Sequence, residues 1–66
     1  MRDYYIIVLT HENGAVCYVG EDDTLTEEKY LCRRWDSRDE AAAHLRPKGG
    51  WFQRHLFRPN VELYYN

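Results

Sequence analysis

The densest apolar stretch of the chain, Tyr4-Tyr5-Ile6-Ile7-Val8-Leu9-Thr10, is β-branched and aromatic but for Leu9, and Ala15-Val16-Cys17-Tyr18-Val19 is a second such run after His11-Glu12-Asn13-Gly14. Two such runs flanking Asn-Gly predict a β-hairpin. Asn13-Gly14 suits the positive-φ positions of a type I′ turn, which would set Leu9 opposite Tyr18 and Val8 opposite Val19, while a bulged loop would shift that register. The first run is apolar at both odd and even positions, so both faces of the sheet are expected to be covered there, as in a central strand. Glu21-Asp22-Asp23 interrupts the pattern as a solvated loop. Tyr30 to Trp35 then predicts a third strand, with Leu31, Arg33 and Trp35 on one side.

Ser37-Arg38-Asp39-Glu40 has the spacing of a capping box and predicts a helix from about Arg38 to Arg46. Pro47 and the Gly49-Gly50 pair are expected to stop it, since proline disfavours αR at the residue before it and glycine frees the backbone to reverse. Trp51, Phe52, His55, Leu56 and Phe57 do not alternate and fit a second short helical turn. From Asn60 to Asn66, Val61, Leu63 and Tyr65 alternate with Glu62 and Tyr64 as a closing strand. The order β-β-β-α-β predicts an α+β fold in residues 1–66 as a single domain. Its core is a small antiparallel sheet of three or four strands with one main helix packed on one face. That helix leaves the second sheet face open: tyrosines (Tyr4, Tyr18 or Tyr30, Tyr64) are expected to line it, as at interfaces, and a second copy or a partner to cover it.

With 66 residues, the chain buries only about 60% of its unfolded surface, so its margin of stability is thin and a homodimer contact would help. Ten aromatic residues, six of them Tyr, exclude a disordered chain. The longest apolar run is too short to cross a membrane, and no secretory h-region precedes the first strand, so a reducing cytoplasm is expected. Net charge is −2, but it is unevenly spread: residues 1–28 hold one basic side chain against seven acids, and residues 29–66 eight against four.

Motifs for chemistry are sparse. Cys17, Cys32, His11, His44 and His55 show no paired ligand spacing, so no metal and no cofactor is expected. Cys17 and Cys32 could meet across adjacent strands, although a disulfide is not expected in a reducing compartment. Cysteine–histidine pairs (Cys17 or Cys32 with His44 or His55) and Glu27 with Glu28 can be written as catalytic partners. But there is no recognised motif, and the chain is too short to wall a substrate pocket of about 300 to 1,000 Å³, so an enzyme is not expected.

Two charged stretches remain. Residues 44–58 contain no acid and interleave His44, Arg46, Lys48, Arg54, His55 and Arg58 with Trp51, Phe52 and Phe57. Of these, Arg46, Lys48, Trp51, Arg54 and Arg58 form a candidate nucleic-acid surface, in which cations neutralise phosphates and an aromatic stacks on a base. Glu21, Asp22, Asp23, Glu27 and Glu28 form a candidate patch complementary to a basic protein surface. In length, in its Tyr4 to Gly20 hairpin, acidic turn and single capped helix, the chain resembles the small proteins of phages and prophages, many of them anti-CRISPR and other anti-defence inhibitors. The resemblance implies stoichiometric inhibition in the host cytoplasm, by occupying a surface of a larger, nucleic-acid-handling protein complex. The acidic stretch would be the working surface, with nucleic-acid binding through the basic segment and a self-associating structural domain as the alternatives.

Overall fold

A computed structural model describes residues 3–64. Four strands, β1 (Tyr4–His11), β2 (Val16–Val19), β3 (Leu25–Thr26) and β4 (Phe57–Tyr64), form one antiparallel sheet in the order β3-β2-β1-β4. A helical run crosses one face. It consists of α1 (Arg38–Leu45), a 3₁₀ turn (Arg46–Lys48) and α2 (Gly49–Arg54). The fold is α+β, with β1 central as its two apolar faces require.

The hairpin forms with its register moved by one residue, so that Leu9 pairs with Cys17 and Val8 with Tyr18. Positive φ in the loop is confined to Gly14 (φ 94°), whereas a type I′ turn needs it at Asn13 as well. His11 instead accepts from Gly14 N–H and donates to the Ala15 carbonyl, both at 2.8 Å, closing a three-residue loop. Asn13 secures it by accepting the Ala15 N–H on its side-chain oxygen at 2.8 Å.

The run from Tyr30 to Trp35 is not a strand. The place beside β2 is taken by Leu25–Thr26, and the later segment wraps around the end of the sheet after a 3₁₀ turn at Lys29–Leu31. Only two isolated bridges tie it down, Gly20 with Cys32 and Tyr5 with Trp35. Cys32 thereby reaches the outer face, buried with Ile6 and Val8, while Trp35 reaches the helix face with Ile7, Leu9 and Val19. Leu31 and Trp35 share no side, and Leu31 is exposed.

Ser37 caps α1 by accepting the Glu40 N–H on its hydroxyl at 3.1 Å, which is half of a capping box; no return bond from the Glu40 side chain forms among the described residues. Pro47 does not stop the helical run. Arg46 stays in αR before it (φ −53°, ψ −48°), and Gly49 is also helical (φ −56°), so the two glycines continue the run instead of reversing it. Ala41 and Phe52 carry it onto the sheet, both buried against Ile7, Leu9 and Val19. The turn back into β4 falls at Leu56, at φ 66°.

β4 starts at Phe57, three residues earlier than its alternation suggests, and Val61 pairs with Ile7 and Leu63 with Tyr5 on the helix side. Tyr65 lies outside the described residues. On the outer face the chain covers itself: Tyr18 and Tyr64 pack against Ile6, Val8 and Cys32. Lys29 and Arg34 stand over the Tyr64 ring, at 5.5 and 4.7 Å from its centroid. The expected tyrosine-lined open face is therefore largely closed, and Tyr30, 67% exposed, is not among the side chains packed on it.

Candidate functional site

The acidic stretch begins where β2 leaves the sheet. Gly20 is buried there, and a side chain at this point would press to 3.0 Å from the Thr24 hydroxyl and 3.3 Å from the Leu31 carbonyl. The chain then turns through Asp22 and Asp23, both left-handed (φ 56° and 60°). Non-glycine residues rarely hold that conformation, and Asp is among the few that tolerate it. Thr24 locks the turn by donating its hydroxyl to the Glu21 carbonyl at 2.7 Å.

The consequence is a division of the five acids. Asp23 points at the helical run, where its carboxylate takes a hydrogen bond from His44 Nε2 at 2.6 Å and sits 3.5 Å from Lys48 Nζ. The His44 hydrogen bond, helped by the charges of His44 and Lys48 and opposed by partial desolvation, holds the Asp23 carboxyl below its ordinary range. An ionised carboxylate can only accept, so His44 Nε2 is the donor. Glu21, Asp22, Glu27 and Glu28 are exposed, and among the described residues none of them forms an ion pair. Glu27 lies close enough to Cys17 to raise that thiol's pKa, adding to the larger effect of burial.

The basic set does not form one surface. Arg46, Lys48, Trp51 and Arg54 follow the helical run, but Arg58 pairs with Thr10 in β4 and shares the outer sheet face with it. Lys48 is committed to Asp23. Trp51 is 43% exposed and stacks on His55, with ring centroids 4.1 Å apart.

Between the acidic turn and the helical run the fold leaves an apolar pocket of about 280 Å³. Ile7 and Val19 form its floor, Leu25, Leu45, Trp51 and Phe52 its walls, and Asp23, His44 and Lys48 lie at its mouth. The sequence signals each wall residue as apolar. What it does not signal is that Leu25, isolated after an acidic loop, stands across from Trp51.

The other paired chemistries do not assemble. Cys17 packs on the helix face and Cys32 on the outer face, so the sheet separates them and both are free thiols. Among the described residues neither hydrogen-bonds to a histidine, and no three potential metal ligands cluster. No described helix is long and apolar enough to cross a membrane. No protein family, curated protein or solved structure matches the chain, so the functional reading rests on this site.

Proposed function

We propose that the protein is a non-catalytic protein-binding module that blocks a nucleic-acid-handling complex, in the manner of small phage-borne inhibitors of CRISPR or other defence systems. The acidic rim around β3 sits on a basic surface of that complex and takes the place of nucleic-acid phosphates. The observation that carries this reading is the set of exposed, unbridged carboxylates on the two turns flanking a two-residue edge strand: Glu21 and Asp22 before it, Glu27 and Glu28 after it. Asp22 keeps its carboxylate at a backbone position where glycine would be less strained, a pattern that accumulates at functional sites. Charges of one sign at a rim raise the association rate with an oppositely charged partner and select against the wrong ones.

The test is affinity capture from a nuclease-treated bacterial lysate, comparing the native chain with Glu21→Gln/Asp22→Asn/Glu27→Gln/Glu28→Gln. Asp23 is left intact because it braces the helical run. A protein complex retained by the native chain and lost by the folded variant, with retention falling as salt rises, supports the reading. Equal retention by both sinks it. Direct nucleic-acid binding is a second reading, favoured by the exposed Trp51 on the same helical run as Arg46 and Arg54; recovery of a nuclease-sensitive nucleic acid that Arg46→Ala/Arg54→Ala abolishes would put it first.

A further inference from the structure

We propose that the pocket beside the acidic rim receives a single large apolar side chain, presented by a basic segment of the partner protein. The proposal rests on reading that rim as the partner-binding face, and adds what the partner must display there. Size comes first: at about 280 Å³ the pocket falls just below the range of about 300 to 1,000 Å³ typical of small-molecule sites. It suits one leucine-sized or aromatic side chain.

Its lining agrees. Leu25 and Trp51 flank the entrance at 40% and 43% exposure, two of the larger apolar groups left in water and both turned to the same opening. A side chain seated between them would cover both, above the buried Ile7, Val19 and Phe52. Tryptophan in a well-packed pocket is a frequent centre of binding energy.

Charge then defines the flanks of the occupant. The polar groups of the mouth already satisfy one another, Asp23 lying between His44 and Lys48. A ligand carboxylate would meet donors already occupied by Asp23, and a ligand cation would meet a carboxylate already occupied by those donors. On the acidic-turn side of the mouth the unbridged charges, on Glu21, Asp22 and Glu27, are all negative, whereas on the helical side Arg46 and Arg54 stand exposed. The complementary segment therefore carries an apolar residue with Arg or Lys where it faces the acidic turn.

The experiment uses the whole, isotopically labelled chain and two synthetic peptides of equal positive charge, each with Arg and Lys around a central residue that is Leu in one and Ser in the other. The expected result is that the Leu peptide binds at least about tenfold more tightly, as burial of one large apolar side chain requires. It should shift the methyl resonances of Val19 and Leu25 and the indole resonance of Trp51. Leu25→Trp, at an exposed edge position, should fill the entrance and make the two peptides equal; Trp51→Ala should narrow their difference by removing a wall. Glu21→Gln/Asp22→Asn/Glu27→Gln should weaken both peptides alike.

Equal affinity of the two peptides, both weakened by neutralisation, would overturn the pocket proposal and leave the acidic rim standing. Binding of the Leu peptide that ignores neutralisation would overturn it from the other side, because the charged flanks would then contribute nothing and the rim reading would lose its support. Failure of both peptides to bind at millimolar concentration would overturn pocket and rim together.

Discussion

Asp22 and Asp23 are indistinguishable as a pair in the sequence, and the fold gives them opposite roles. Both sit in the left-handed region, but the turn aims only Asp23 at His44 and Lys48, so it joins the acidic loop to the helical run while Asp22 stays on the rim. Reading charge along the chain identifies both stretches; it cannot show that one acid leaves its own stretch to neutralise a cation of the other, because that depends on where the sheet ends. The role has a pH signature. The folded-state pKa of Asp23 is lowered, so its contribution is present above the unfolded carboxylate value of about 3.9 and disappears as pH falls through the folded value. Asp23→Asn should therefore cost stability at neutral pH, by no more than about 1 kcal/mol for so exposed a pair. The difference from the native chain should shrink as acid is added. Urea denaturation of both proteins across the acid range checks this, and a difference that stays constant would show that Asp23 acts through shape alone.

At the level of elements, local signals were readable and pairings were not. Ser37 was legible as a cap because its bond reaches only to Glu40, three residues on. The hairpin was legible, but its register depended on the sign of φ at Asn13, which the same Asn-Gly dipeptide can satisfy either way. Tyr30 to Trp35 has a strand's composition, yet the place next to β2 went to Leu25–Thr26, an outcome set by the tight turn at Gly20 and not by propensity. The Gly49-Gly50 pair misleads for a related reason. Glycine permits reversal without requiring it, and packing of Phe52 in the core keeps this stretch helical. Since Gly49 is helical and a side chain there would meet nothing within 4 Å, Gly49→Ala should stabilise the protein by about 0.5 to 1 kcal/mol. Thermal or urea unfolding measures it, and destabilisation would mean that Gly49 needs a conformation alanine cannot take.

For the whole molecule, the question is whether a sheet this small leaves an edge open to a second copy. The β3 edge is two residues long and lies between acidic turns, a combination that discourages strand pairing. β4 is eight residues long and is the more exposed risk. Tyr5 exchanges hydrogen bonds with Trp35, and His11 donates its N–H to the Ala15 carbonyl, so the odd positions of β1 direct their backbone groups towards β2 and the even positions towards β4. Phe57, Pro59, Val61 and Leu63 of β4, paired with those odd positions, consequently turn their backbone groups outward. Two of the four are blocked for pairing: Pro59 has no N–H to give, and the Val61 carbonyl accepts the Arg38 guanidinium at 3.3 Å. Arg38 is itself positioned over the Tyr5 ring, 5.3 Å from its centroid. With the outer face covered by Tyr18, Tyr64 and Cys32, the protein should run as a monomer in light scattering. Pro59→Val with Arg38→Ala should restore the missing donor and free the carbonyl, giving a mass that rises with concentration. A native chain that is already a dimer would show that the β4 edge is not closed by these two residues, and would bring forward the reading of the chain as a self-associating structural domain.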